Sequence, residues 1–500
     1  MLNKIISFSI KHKLIIALLT LGLVVWGIWS ASRLPVDAVP DITNNQVQVI
    51  TRVPNLAAQE TEQLVTYPIE QTLANLPGLV ELRSISRFGL SVITAVFDED
   101  INVYFARQLI NEKLNAIGDD DGFRFGKPEL APVTTGLGEI YQYVLHPVKG
   151  AEHKYSAMDL RTMQDWIIAR QLYGTPGVAE VNSFGGLQKQ YEVAVDPYRL
   201  NGMKVTLAEL FNALEKNNAN TGGAYIDKKP NAYYIRGVGA MASMDDIRNT
   251  LIKSPGGIPV LVRDVAKVQE GNAVRYGSVT YNGEKEVVGG IVMMLKGENS
   301  ASVVAKVKDR IAAIQKTMPA DVVIEPYLDR AELVKRAINT VSLNLVEGAL
   351  IVIFVLVLFL GNMRAGLIVA SAIPLSMLFA LGMMNLFGVS ANLMSLGAID
   401  FGLIVDGAVI VVEATLHHLK QYQQKKLIAT GSSVLTRAEK DKEVFLSASG
   451  IRKSAAFGEI IILIVYIPVL TLVGIEGKMF RPMAQTVSFA ILGALILSLT

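Results

Sequence analysis

One arrangement constrains this chain above all others. A single membrane-length apolar run lies near the start, a long polar block follows, and a dense series of further apolar runs closes the sequence. Residues 14–32 carry no charge and sit between Lys13 and Arg33. About 20 apolar residues cross the ~30 Å hydrocarbon core of a bilayer. A cleaved leader is the competing reading, because Ser30, Ala31 and Ser32 form a small-residue stretch. Leader cores are shorter, so the run reads as an uncleaved anchor, and residues 1–34 as a tail plus first span. Lys4, Lys11 and Lys13 place that tail in the cytoplasm. After Arg336 the pattern predicts five more spans. Residues 337–363 are interrupted by Glu347 alone, and 365–387 are kinked at Pro374. With 393–416 these make up a block over 336–416. A fifth span covers 460–475 and a sixth begins near Met483, together within 458–500. Residues 388–392 and 476–482 read as short turns. Residues 417–457 hold eight basic residues against three acidic ones and read as a cytoplasmic loop. The last run reaches Thr500 with no polar flank, which reads as a fragment or truncated product.

Composition narrows the function classes. Hydrophobic residues make up 51% and charged residues 18%, with a mean hydropathy of +0.37 and a net charge of +2. An ordinary soluble enzyme, a disordered chain and a nucleic-acid binder all fit poorly. There is no cysteine, which excludes disulfides, thiolate zinc sites and thiol catalysis. The five histidines, His12, His146, His153, His417 and His418, form no HExxH pattern.

The polar block, residues 35–335, must lie on the far side of the membrane from the N-terminus. It contains a repeat. Pro77, Gly78, Leu79, Val80 and Glu81 are echoed by Pro176, Gly177, Val178, Ala179 and Glu180. Each copy follows a helical pattern, about 57–74 and 159–172, and precedes an alternating strand. Around the first copy the pattern predicts strand 46–54, helix 57–75, strands 79–87 and 90–97, and helix 102–116. That is a βαββαβ unit lacking only its last strand. In the second copy residues 187–281 read as an insertion, and a later strand and helix, 286–294 and 301–317, complete the unit. The fold class is therefore α+β: a helical transmembrane bundle with ferredoxin-like βαββαβ units outside it.

The fourth span carries the strongest chemistry. Asp400, Asp406 and Glu413 lie in one apolar run, with Gly402 and Gly407 between them permitting close helix approach. A charge at the bilayer centre costs ~2.5 kcal/mol or more, so such residues face a bundle interior or a water path. Seven residues separate Asp406 from Glu413, which puts them within about 20° on one helix face and ~10 Å apart. Asp400 falls about 120° round. A carboxyl held away from water favours its neutral form and a nearby cation reverses that, so the group can carry protons. Hard oxygen ligands also suit a divalent cation. A packing role is the alternative, strongest for Glu413. Neither Lys nor Arg is expected deep within the six spans, so the counter-charge is expected outside this chain. Other motifs fail on context. Asp400-Phe401-Gly402 spells a kinase triplet but lies in a membrane run. An intramembrane aspartyl protease needs facing carboxylates from two helices. Met241, Met244, Met293 and Met294 are better read as core fillers than as soft-metal ligands. His417 and His418 read as an interfacial pair and His153 as solvated.

With that helix in hand, the whole chain resembles the N-terminal half of a resistance-nodulation-division (RND) efflux transporter. The residues that carry the likeness are Leu34-Pro35-Val36-Asp37-Ala38-Val39-Pro40-Asp41-Ile42, the junctions at 359–365 and 474–482, and the Asp400, Asp406, Glu413 pattern. The pattern is most similar to the divalent-cation (CzcA) type of the heavy-metal branch; the copper and silver type lacks an acid at the position of Asp400. The resemblance implies two porter subdomains, 35–132 and 133–186 with 282–335, and a docking subdomain at 187–281 inserted in the second. It implies proton-driven efflux of metal cations such as cobalt, zinc, cadmium or nickel, by a homotrimer in the bacterial inner membrane. The three carboxylates would serve proton relay and cation translocation. A periplasmic adaptor and an outer-membrane channel are the implied partners, with no cofactor, no enzymatic activity and no nucleic acid. The metal ligands and the basic partner of the carboxylates are implied to lie in a second half. Such a chain alone would insert without pumping. Export of organic amphiphiles and an inactive half-transporter remain as alternatives.

Overall fold

Strand 46–52 alternates: Val47, Val49 and Thr51 face inward while Gln46, Gln48 and Ile50 are half-exposed. That period of two places one face on a core. The structure, a computed structural model, describes residues 2–34, 36–37, 39–116, 125–275, 277–430 and 432–500. Pro35 and Ala38 of the 34–42 segment lie outside the described residues. The strands β1 (Gln46–Arg52), β2 (Leu79–Arg87), β3 (Leu90–Phe97) and β4 (Pro128–Leu130) form an antiparallel sheet in the order β2-β3-β1-β4. Nothing in the sequence marks β4, whose three residues begin at a proline; it nonetheless supplies the strand the first unit was expected to lack. The helical stretch 58–73 and Val103–Ala116 cover one face, burying Ile69, Leu73, Ile110 and Leu114 against Val49, Ile93 and Phe97.

A second sheet repeats the order. Its strands are β5 (Glu139–Pro147), β6 (Val178–Gly185), β7 (Val288–Met294) and β8 (Val322–Asp329), arranged β8-β5-β7-β6. Helices over 157–172 and Ser300–Gln315 bury Ile168, Leu172, Val303 and Ile314 on it. Between β6 and β7 stands a separate body with its own core, built on Leu200, Val205, Leu210, Val262 and Val265. Strand Lys189–Val195 pairs there with Ala266–Asn272. A hairpin, Thr221–Lys228 with Asn231–Gly237, leaves this body exposed at every position.

Among the described residues the apolar part holds the short helix Leu393–Gly397 and seven longer ones: α1 (Leu2–Lys11), α2 (Lys13–Ala31), α3 (Arg330–Leu360), α4 (Met363–Phe387), α5 (Phe401–Thr430), α6 (Arg437–Leu470) and α7 (Gly474–Leu499). Among the described residues six helical segments are long and apolar enough to cross a membrane: α2, α3, α4, 393–429, α6 and α7. Two expectations fail here. The region expected as a loop over 417–457 is mostly helix, because α5 continues to Thr430 and α6 starts at Arg437. Thr436 and Glu439 form the capping box that starts α6, with each side chain bonding the other's backbone N–H. The expected turn at 476–482 is the opening of α7, which begins at Gly474, a residue with φ +68°. The polar and apolar parts are tied together. Val36–Asp37 pairs in parallel with Ala391–Asn392, Arg330 meets Asp37 at 3.0 Å, and Lys478 meets Glu99 at 2.7 Å.

Candidate functional site

Helix α5 packs by Phe401, Ile404 and Val405, which sit in a core with Val369 and Ile373 of α4 and Ala490 and Ala494 of α7. Room for this comes from Gly348 of α3, where a Cβ would stand 3.2 Å from the Phe401 ring. Those inward residues fix the outward ones. Gly402, Asp406 and Glu413 are all exposed on this chain's surface. Steps of four and seven residues keep them on one side of the helix. The structure thus joins Asp406 and Glu413 on one face that turns away from the bundle.

Asp400 stands apart from that stripe. The helix does not run through it: a short helix, Leu393–Gly397, ends before it and α5 starts at Phe401. Its Oδ1 accepts the Gly402 N–H at 2.8 Å, so the carboxylate caps the helix N-terminus. The expectation of three carboxylates within one helix is therefore corrected to two within it and one at its cap. The two glycines differ as well. The nearest atom to a Cβ on Gly402 would be Oδ1 of Asp400, at 3.1 Å, with no contact to another helix nearer than that. A Cβ on Gly407 would lie 1.6 Å from Glu459 Oε1 and 3.3 Å from Arg452 Nη1. Close helix approach therefore rests on Gly407.

That contact exposes a second correction. Arg452 and Glu459, both on α6, are 1% and 7% exposed and form a two-pronged ion pair, Nη1–Oε1 at 3.2 Å and Nη2–Oε2 at 2.8 Å. Nη2 also donates to the Leu495 carbonyl of α7 at 3.1 Å, while Nε finds no partner among the described residues. A buried cation does lie inside the bundle, against Gly407, the residue that follows Asp406 on α5. The expectation of no deep Lys or Arg took its polar surroundings, from Lys440 to Lys453, for a loop. The signals that mark it are the Thr436–Glu439 capping box, which starts a helix, and the seven-residue spacing of opposite charges on it.

The remaining candidates lie elsewhere in the chain. Met294 is buried in the second sheet's core, and Met293 Sδ accepts from Asn182 Nδ2 at 3.3 Å. Met244 packs on the core of the inserted body. His417 bonds Gln421 at 2.8 Å on an exposed surface, and His153 is exposed in a short turn. Outside the apolar part, His146 Nε2 lies 2.7 Å from Glu325, whose other oxygen accepts from Tyr281 at 2.9 Å. The His146 contact, then the Tyr281 hydroxyl, holds the Glu325 carboxyl below its usual range.

Comparison with known proteins follows the same lines. Residues 5–500 match the model of the AcrB/AcrD/AcrF family. The cobalt-zinc-cadmium resistance protein CzcA of Cupriavidus metallidurans is 48% identical, over 100% of this chain and 47% of its own length. The nickel and cobalt resistance protein CnrA of the same organism is 40% identical over 100% and 48%, and the cation efflux system protein CusA of Escherichia coli K12 is 35% identical over 100% and 47%. A crystal structure of a heavy metal efflux pump superposes with a TM-score of 0.86 at 34% identity, covering 99% of this chain and 47% of that one. The chain spans about half the length of the relatives it matches.

Proposed function

The chain belongs to the AcrB/AcrD/AcrF family of RND transporters, and on that premise we propose that it serves proton-driven efflux of divalent heavy-metal cations, cobalt, zinc, cadmium or nickel among them. The observation that carries this reading is the pair Asp406 and Glu413, presented together on the outward face of an apolar helix. A charge there is costly unless something uses it. Protons moving down a membrane potential supply ~2.3 kcal/mol per 100 mV. That energy becomes motion only if the charged and neutral forms of the carboxyl favour different packings. Asp406 takes and gives the proton, Glu413 extends the path along the same face, and Asp400 holds the helix start.

On this reading the two sheet units are porter subdomains and the body between them a docking subdomain. The chain sits in a bacterial inner membrane as part of a homotrimer, with the sheets in the periplasm against an adaptor and an outer-membrane channel. The test is Asp406→Asn in the transporter expressed in a metal-sensitive bacterium. An amide cannot titrate, so resistance to zinc and cobalt should fall to the level of cells without the pump, at equal protein in the membrane. Unchanged resistance would refute the relay. Resistance to dyes but not to metals would instead support an exporter of organic amphiphiles.

A further inference from the structure

Where α1 breaks into α2, the chain builds a basic cleft. Its volume is about 690 Å3, between residues 7–15 and the first turns of α6. Lys11, Lys13, Arg437 and Lys442 line it, against one carboxylate, Asp441. Lys13 Nζ bonds Asp441 Oδ1 at 2.9 Å and closes one side. Among the described residues Lys11, Arg437 and Lys442 have no ion-pair partner, so the cleft keeps an excess of positive charge. Ile10, Leu14, Ile15 and Phe445 make an apolar part of its wall, with Ser7 and His12 completing the lining. Ile10 also lines a second groove, of about 660 Å3 and mostly apolar, that runs along Ile16, Ile368 and Ala372 and is closed by residues of α5, α6 and α7, Val411, Ala448 and Leu499 among them.

We propose that this cleft is a binding site for one anionic glycerophospholipid, with the headgroup phosphate among Lys11, Arg437 and Lys442 and an acyl chain following Ile10 into the apolar groove. Charge and position argue for this occupant. A cation cluster at the membrane end of a helix pair meets the phosphates of anionic lipids, and a zwitterionic lipid offers no net charge to it. On α1 the apolar residues Ile5 and Phe8 are exposed, which suits a helix lying in the interface beside α2. A free anion would use the lysines and arginine but not the apolar groove. The inference stands independently of metal transport. In this arrangement the lipid bridges α1 to α6, beside the Lys13–Asp441 contact that already ties the start of α2 to α6.

The test uses the 500-residue chain in neutral detergent, titrated with dioctanoyl-phosphatidylglycerol, dioctanoyl-phosphatidylcholine and inorganic phosphate, with binding read by native mass spectrometry. The glycerol lipid should bind roughly tenfold more tightly than the choline lipid, and the preference should shrink as salt is raised to about 0.5 M. The variant Lys11→Gln/Arg437→Gln/Lys442→Gln, which leaves the Lys13–Asp441 contact in place, should lose the preference. Lys420→Gln/Lys425→Gln, outside the cleft, should keep it. Equal affinity for the two lipids, or a preference that survives the triple substitution, would overturn the proposal. Inorganic phosphate binding as tightly as the glycerol lipid would show a free-anion site and overturn the lipid assignment. If the triple variant fails to stay monodisperse, the salt series on the unmodified chain decides: a preference unmoved by salt counts against the site.

Discussion

At the scale of single residues, the charge on α5 that the sequence displays and the charge on α6 that it hides meet at one glycine. Gly407 is the point where α5 and the Arg452–Glu459 pair touch, and a methyl there would overlap Glu459 Oε1. Gly407→Ala must therefore displace either the helix or the pair. Removing one member of a buried pair leaves the other uncompensated, at a cost of about 3–5 kcal/mol, whereas replacing both with apolar residues of similar size is often neutral. Thermal unfolding of the solubilised chain should show Gly407→Ala, and the single substitutions Arg452→Met and Glu459→Leu, all well below the parent. Arg452→Met/Glu459→Leu should melt above either single substitution. A double substitution as damaging as the sum of the singles would mean that the pair is not a unit. Asp406 and Glu413 were legible because a carboxylate in an apolar run has few bland explanations. Arg452 was not, because other basic residues surround it and only the helical register singles it out.

The elements carry the same lesson about register. Both sheet units turn from helix to strand at a glycine with positive φ, Gly78 at 72° and Gly177 at 93°. Each accepts at its carbonyl from the strand end across the sheet, Asp98 N–H to Gly78 and Leu295 N–H to Gly177. Each helix before the turn carries one wide turn, Glu62–Thr66 and Gln164–Ile168. The matching turns and strand orders are why a short sequence similarity pointed to two units. A Cβ at Gly177 would stand 2.6 Å from Val303 Cγ2. Gly177→Ala should lower stability by backbone strain of about 1 kcal/mol plus that contact. Gly150→Ala, at φ +95° with nothing within 4 Å, pays for the strain alone. If the two variants melt together, packing at the turn contributes nothing. Strand β4 was not legible because three residues give no period to detect. The extensions of α5 and α6 were not, because charge reports which side of a membrane a segment faces, not whether it is helical.

For the whole molecule, the order of apolar and polar stretches was enough to separate the long apolar helices from two sheet units, and the basic residues predict an orientation. A periplasm-active reporter fused after residue 150 should give signal, and one fused at residue 433, between α5 and α6, should not; the reverse pattern would overturn the orientation. What no composition or period could convey is that α5 runs on past its carboxylates as a single rod. From Asp406 to its end at Thr430 is about 36 Å. Lys426 clasps Glu439 at 2.6 Å, so the start of α6 is bound to that end. A lever of this length magnifies whatever happens at its fulcrum. A tilt of about 5° at Asp406 sweeps the far tip through about 3 Å, a stroke as long as a hydrogen bond, delivered well away from that side chain.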